Sequence, residues 1–444
     1  MIESIQLKHI NKLAVPALIA GISEPILSIT DTAIIGNVDL NATESLAAVG
    51  IVGTFMSMLI WVLGQTRSAI SSIVSQYYGA NKIHAIKNLP AQAIFIITAI
   101  SLLIIVTTFP FARPIFKLYN ASNMILDYSV EYYRIRVFGF PFTLFTIAVF
   151  GTFRGLQNTY YPMVIAIVGA LTNIVLDYIL VYGIEDFIPA LYVKGAAYAS
   201  VAAQFLMALL SVYYLRKKTD IPLIPKFPFN KEIKNFIFMI LNLFVRTLAL
   251  NATLYFATRF ATAYGAAHIA AYTIAINLWF FGAFFIDGYA SAGNILSGKL
   301  LGAKAYNLLI TLSNKLLIYG MIGGTALGIL GAIFYHPLGR LFTNDPEVLE
   351  KFYQIFWVVL IMQPLCAIAF IFDGMFKGMG QMKFLRNLLL GATFLVFIPI
   401  LFWLDAQNLK LYAIFIALTF WIVARGIPLV IKFRSQFLPL AQKM

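Results

Sequence analysis

The chain has 444 residues, of which 61% are hydrophobic and 11% are charged, with a formal net charge of +14. Its mean hydropathy of +0.86 excludes an ordinary water-soluble domain, in which about a quarter of the residues are charged, and indicates a membrane protein. The single cysteine, Cys366, excludes an intramolecular disulfide, and the four histidines show no spacing typical of a metal or haem site.

Long apolar segments divide the whole chain. About 20 apolar residues cross the hydrocarbon core as one helix. We predict twelve crossings, roughly at residues 13–36, 45–78, 88–112, 123–152, 159–182, 191–215, 233–264, 267–298, 307–335, 347–376, 383–404 and 409–433. Helices are favoured over strands because they satisfy their own backbone hydrogen bonds. The first segment is predicted to be a membrane span, since its apolar run is too long for a cleaved signal and no small-residue cleavage pattern follows it.

Basic residues are concentrated on one side of these segments, for example at Arg216, Lys217 and Lys218. The positive-inside rule assigns that side to the cytoplasm, so both chain termini are expected there. The positive balance therefore indicates orientation and attraction to anionic lipid, and no nucleic-acid partner is expected.

The two halves of the sequence repeat. An ungapped shift of 223 residues pairs Gly79 with Gly302 and Pro141 with Pro364, among other matches. Each repeat holds six crossings and so enters the membrane the same way round. We therefore predict an all-α integral membrane protein whose twelve transmembrane helices form two six-helix bundles, related by a pseudo-twofold axis along the membrane normal. The expected domains are an N-terminal bundle at 1–216, a cytoplasmic linker at 217–231 and a C-terminal bundle at 232–444.

Two carboxylates lie deep in the apolar segments of the first half. Asp31 lies in the first segment and Asp177 in the fifth, both near the outer end. A charge at membrane depth costs about 2.5–3.5 kcal/mol and is usually kept to pair, titrate or bind a cation. The repeat places Leu254 and Ile400 at the equivalent positions of the second half. Whatever these two carboxylates do is therefore expected of the first half alone.

The two carboxylates are predicted to hold a proton or a small cation such as Na⁺. Asn173 lies four residues before Asp177 and shares its helix face. Burial and a neighbouring carboxylate favour a retained proton, whereas carboxylate, amide and Ser200 hydroxyl oxygens suit a small hard cation. No cofactor is expected, and no metal beyond Na⁺ at Asp31, Asn173 and Asp177. A purely structural ion pair remains an alternative for both aspartates.

Two further groups of residues are candidates. Pro16 and Pro25 in the first segment are ordinary kinks or a hinge near Asp31. In the second half, Arg246, Asp287 and Asp373 lie at similar depth, and a structural ion network is favoured over a coupling site.

Several longer motifs match a known family. They are DTAIIGN (31–37), YYRIRVFGFP (132–141), FRGLQNTYYP (153–162), LTNIVLDYILVYG (171–183), GAAYAS (195–200), FIDGYASAGNILSGKLLGA (285–303) and FDGMFKGMGQMKFLRN (372–387). Together they resemble the multidrug and toxic compound extrusion (MATE) family, in particular its DinF-like branch. The resemblance implies a multi-pass exporter of the bacterial cytoplasmic (inner) membrane that exchanges protons or sodium for organic, often cationic, compounds. It also adds Tyr132 as a lid over the coupling site. The chain departs from the family at Gln157 and Asn158, where an acidic residue is common, and at Ser200, where Thr is common.

The predicted function is a secondary active multidrug exporter, an H⁺ or Na⁺ antiporter that works by alternating access. The protein is expected to be a monomer. Its substrates are expected to be small, cationic and amphipathic, because Met and aromatic side chains suit varied apolar cations. One alternative is a flippase for lipid-linked or polyisoprenoid-linked substrates, although a strongly basic cleft and two extra helices are not evident. An integral membrane enzyme is a further alternative, disfavoured because no catalytic constellation is apparent. No phosphate-binding loop of ATP-driven transport occurs.

Overall fold

The computed structural model describes residues 5–36, 38, 41–119, 121–184 and 187–443, without the side chains of 23–29, 32 and 42. The helices are α1 (Leu7–Gly36), α2 (Ala42–Leu63), α3 (Thr66–Gly79), α4 (Leu89–Thr108), α5 (Ala112–Lys117), α6 (Asn123–Arg136), α7 (Phe140–Gly155), α8 (Tyr160–Tyr182), α9 (Tyr192–Lys218), α10 (Glu232–Ala263), α11 (Ala266–Gly302), α12 (Tyr306–Ile333), α13 (Tyr335–Phe342), α14 (Pro346–Gly378), α15 (Met382–Gly391), α16 (Ile398–Asp405) and α17 (Leu411–Gln442). Short 3₁₀ turns lie at Ile83–Ile86 and Val137–Gly139, and a π turn lies at Ala392–Phe397.

The predicted crossings correspond to helices. Within the described residues, eleven helical stretches are long and apolar enough to span a membrane, the first of them Thr43–Gly79. The segment before it is the 30-residue helix α1.

Helix ends follow local chemistry: the Asp345 carboxylate caps α14 by accepting from the backbone N–H of Glu347 at 2.9 Å. Gly183 ends α8 with φ of +79°, where a Cβ would lie 2.6 Å from the carbonyl oxygen of Ile188.

The helices form two compact units. Unit 1 contains the chain up to Leu18, the segment Ser75–Asn81 and everything from Leu241 onward; unit 2 contains Ile19–Val74 and Lys82–Ile240. Unit 1 thus combines most of the predicted C-terminal bundle, from Leu241 onward, with the start of α1 and the end of α3.

Helix α14 is central in unit 1 and packs against α11, α12 and α17. Small residues permit this close approach, as is usual where lipid tails remove the hydrophobic drive between helices. A Cβ added to Gly374 would lie 2.2 Å from the carbonyl oxygen of Ala290, and one on Gly324 would lie 2.8 Å from that of Gln363. Trp421, Phe356 and other large side chains fill the remaining space.

The antiparallel pair α8 and α9 fixes heights in unit 2. Gly195 of α9 lies against Leu180 of α8, and Gly169 of α8 lies against the Met207 side chain of α9. Both contacts belong to one register along the two helices. That register places Ser200 level with Leu176, one residue before Asp177.

Candidate functional site

Asp177 on α8 is fully buried at 0% exposure. Asn173, one helical turn earlier, donates its side-chain N–H to Oδ2 of Asp177 at 2.5 Å. The second oxygen, Oδ1, is also buried and accepts no hydrogen bond from any described residue. Asn173 therefore fixes the orientation of the carboxyl group and leaves one oxygen for a proton or a cation.

Asp31 of α1 is the second carboxyl group of this site. It is 7% exposed and lies within hydrogen-bonding and electrostatic range of Asp177. Its Oδ1 is buried and lacks a partner within the described part of the chain. Two buried neighbouring carboxylates repel when both are ionised. The pair is therefore stabilised by binding one positive charge.

Tyr132 of α6 is buried near the two aspartates. It is 2% exposed and lies within electrostatic range of both Asp31 and Asp177. Arg136, one turn further along α6, places its guanidinium carbon 6.0 Å from the centre of the Tyr132 ring and is also near Asp177. Sequence reasoning did not assign Arg136 to this site, although its i, i+4 spacing from Tyr132 was a usable signal.

Ser200 of α9 is 2% exposed. Its hydroxyl oxygen is buried and forms no hydrogen bond with a described residue. The register of α8 and α9 brings this residue to the height of Asp177, but no hydrogen bond joins it to either carboxyl group in the described structure. Ser200 therefore lies at the height of the carboxyl pair along α9, with no hydrogen bond to it.

Both prolines of the predicted hinge lie in α1. Pro16 is half-buried, and the helix passes from unit 1 to unit 2 between Leu18 and Ile19. Pro25 lies in the same helix, but its side chain is outside the described residues.

The free oxygens determine which ions the site could hold. Within the described residues, no group of three or more His, Cys, Asp or Glu could hold a metal ion. Oδ1 of Asp31, Oδ1 of Asp177 and the Ser200 hydroxyl are nevertheless three buried oxygens without partners. Oxygen atoms of this kind suit Na⁺, and one proton on the carboxyl pair would satisfy the same charge.

The predicted network of the second half has a different membership. Asp373 on α14 pairs with Arg246 at 2.5 Å through Oδ1 and with Lys377 at 2.9 Å through Oδ2. Asp287 is exposed and forms no ion pair with a described residue, although its charge acts on Lys377. Lys377 was not predicted, yet it lies at i, i+4 from Asp373.

The second half has no carboxylate equivalent to Asp31 or Asp177. Around the π turn of the second half (Ala392–Phe397), hydroxyl groups form the polar contacts instead. Thr253 and Thr393 are joined through their hydroxyl oxygens at 2.9 Å, and the Trp421 indole donates to Thr393 at 3.1 Å. The asymmetry predicted from the repeat is thus present in the side-chain chemistry.

Comparisons with known proteins agree on one family and fold. A family model described as MatE matches residues 16–179 and 235–403. DNA damage-inducible protein F of Escherichia coli is 26% identical over 388 residues, covering 86% of this chain and 82% of that protein. A probable multidrug resistance protein NorM of Thermotoga maritima is 26% identical over 394 residues, covering 84% and 80%. A crystal structure of a MATE protein in the bent conformation matches with a TM-score of 0.89 at 20% identity, covering 98% and 96%. The predicted fold class is confirmed.

Proposed function

Because the chain belongs to the MatE family of multidrug efflux transporters, we propose that it is a secondary active exporter that antiports H⁺ or Na⁺ against small organic compounds. The predicted family is confirmed, and the protein is a multi-pass transporter, not an enzyme. DNA damage-inducible protein F is among the relatives, and the DinF-like branch is part of the proposal. The bacterial cytoplasmic membrane, cytoplasmic termini and alternating access are parts of the proposal.

The paired carboxyl groups of Asp31 and Asp177 carry this proposal. An antiporter needs a group whose charge differs between its inward and outward states. Each aspartate has one buried oxygen without a hydrogen-bond partner among the described residues. A proton or Na⁺ taken up there removes a buried negative charge, so the ion binds the two states with different affinity.

Helix α1 would transmit this change, since it carries both Asp31 and Pro16. Neutralisation of the carboxyl pair would let the outer part of α1 bend and repack, which would expel the substrate. The available drive is small: about 2.3 kcal/mol per charge at 100 mV and about 1.4 kcal/mol per tenfold concentration ratio. The two states must therefore be nearly equal in free energy.

The proposed substrates include cationic amphipathic compounds, and the proposed state is a monomer. A deprotonated carboxyl pair attracts organic cations. Proteins with names that refer to multidrug resistance are among the relatives, which favours efflux over the flippase alternative.

Efflux from proteoliposomes tests the proposal. Purified protein is reconstituted with rhodamine 123, a membrane-permeant organic cation, under an imposed pH gradient or an imposed Na⁺ gradient in separate experiments. We expect one gradient to drive dye transport and a protonophore or Na⁺ ionophore to abolish it. Transport that needs neither gradient would refute ion coupling, and the Asp177→Asn protein supplies the negative control.

A further inference from the structure

A buried cluster of basic side chains lies in unit 1, apart from the carboxyl pair. Both oxygens of Asp373 are already engaged, one by Arg246 at 2.5 Å and one by Lys377 at 2.9 Å. Arg246 and Asp373 are 6% and 7% exposed. Asp373 therefore has no carboxylate oxygen left that lacks a cationic partner.

Arg425 is the third cation of this cluster. It lies near the middle of α17, is 4% exposed, and is within electrostatic range of Arg246 and Asp373. Its guanidinium stacks on the rings of Trp421 at 4.4 Å and Phe370 at 5.5 Å. It forms no ion pair and no hydrogen bond with any residue in the described part of the chain.

The charges of the cluster do not balance. Among the side chains that the structure describes, three cations face a single buried carboxylate, and counting the exposed Asp287 still leaves positive charge in excess. An arginine at membrane depth costs about 2.5–3.5 kcal/mol, and such residues usually pair or mark a substrate path. The aromatic faces offset part of this cost but supply no hydrogen-bond acceptor to the guanidinium.

We propose that Arg425 and its neighbours form an anion-binding site that takes the carboxylate of an organic substrate. The planar guanidinium fork matches a carboxylate with two parallel hydrogen bonds. Trp421 and Phe370 hold the fork in place and provide an apolar surface beside it. The inference rests on the proposed function and assigns to Arg425 the part of a zwitterionic or anionic substrate that the carboxyl pair cannot attract.

A matched pair of dyes tests the site. Rhodamine 110 carries a free carboxylate, and rhodamine 123 is its methyl ester. Fluorescence anisotropy with the full-length protein in phosphatidylcholine nanodiscs at pH 8 gives the two affinities. We expect rhodamine 110 to bind about tenfold more tightly, the effect of about 1.4 kcal/mol. Equal affinities would overturn the proposal.

Variants on α17 assign the preference to Arg425. In Arg425→Gln the preference should vanish while the rhodamine 123 affinity stays within about twofold. Arg425→Lys keeps the charge and loses the fork, so it should fold even if the glutamine variant does not and should keep part of the preference. Arg434→Gln removes an exposed charge from the same helix and should change nothing. A preference that survives both Arg425 variants would refute the assignment.

Two further measurements separate the anion site from ion coupling and from lipid binding. Asp177→Asn should lose ion-driven efflux and retain the dye preference; if the preference fails in a protein with intact ion-driven efflux, only the anion site is refuted. Nanodiscs that contain phosphatidylglycerol should also retain the preference. Its loss there would assign the site to a lipid headgroup and overturn the substrate role.

Discussion

Gly79 and Gly302, which occupy equivalent positions in the two sequence repeats, form a reciprocal contact at the ends of α3 and α11. A Cβ added to Gly79 would lie 1.9 Å from the carbonyl oxygen of Lys299, and one added to Gly302 would lie 1.8 Å from that of Gln76. Gln76 and Lys299 are also related by the 223-residue shift. Each glycine therefore faces the backbone of the other helix in the same way. A backbone carbonyl cannot rotate away from an added Cβ as a side chain could.

Alanine at either position should separate the two helix ends. Overpacking of this kind costs about 1–3 kcal/mol, so we expect Gly79→Ala and Gly302→Ala to lower the thermal unfolding temperature of the purified protein. Gly323→Ala on α12 is the matched control, because nothing lies within 4 Å of its added Cβ. Equal melting temperatures for Gly302→Ala and the parent would contradict the observed packing.

Asp177→Asn should abolish ion-driven efflux while expression and thermal stability stay near those of the parent. Asparagine has nearly the same shape and can still accept the hydrogen bond from Asn173, but it cannot release a proton. The symmetry-related change, Ile400→Asn, should instead lower stability by about 1–3 kcal/mol, because it introduces an unpaired amide. Parental efflux by purified Asp177→Asn protein would exclude the coupling role.

Pro16→Ala should slow transport while substrate binding remains measurable. The substitution restores a regular backbone hydrogen bond in α1, close to the place where this helix passes from unit 1 to unit 2. Pro90→Ala is the control, since Pro90 occupies the first turn of α4, where proline causes no strain. Dye binding by anisotropy and efflux from proteoliposomes are compared for each protein. A normal efflux rate for Pro16→Ala would remove the hinge from the mechanism.

Gln92 should hold the linker between the two halves in its folded conformation. This fully buried side chain donates to the carbonyl oxygens of Lys226 at 2.6 Å and Pro228 at 3.1 Å and accepts from the backbone N–H of Asn230 at 2.9 Å. Each bond contributes about 1 kcal/mol, so Gln92→Ala should speed tryptic cleavage after Lys226 at least about fivefold. Gln65→Ala, which removes one long bond of 3.4 Å to Trp61, should not. Unchanged cleavage in Gln92→Ala would show that the linker is held elsewhere.

The sequence was sufficient to predict the helices and much of the site, because both predictions depend on how deep a residue lies in the membrane. Twenty-residue apolar runs fix where a helix crosses, and similar depth in the outer half was the reason to place Asp31 beside Asp177. Depth does not determine which way a side chain faces around the helix axis. Asp287 was assigned to an ion network by depth, yet it is exposed while its neighbours Ile286 and Gly288 are buried.

The residues that sequence reasoning missed are cations at i, i+4 spacing. Arg136 follows Tyr132, Lys377 follows Asp373 and Arg425 follows Trp421 in this way. Such spacing shows that two side chains share a face, but which neighbouring helix they meet depends on packing. For Arg425 that partner is α14, through Phe370.

Affinity for a cationic substrate should fall when the carboxyl pair is neutralised. At high pH the deprotonated pair attracts rhodamine 123, whereas uptake of a proton, or of Na⁺ if sodium couples, removes that attraction. We expect a decrease of about tenfold in affinity, or about 1.4 kcal/mol, between roughly pH 8 and 5.5 or on addition of Na⁺.

The Asp31→Asn/Asp177→Asn double variant should respond to neither ion. Asp127→Asn, which removes an exposed carboxylate paired with Arg113, should respond as the parent does. Binding isotherms at each pH, with and without Na⁺, decide the matter, since an affinity indifferent to both ions would leave the two aspartates as structural residues.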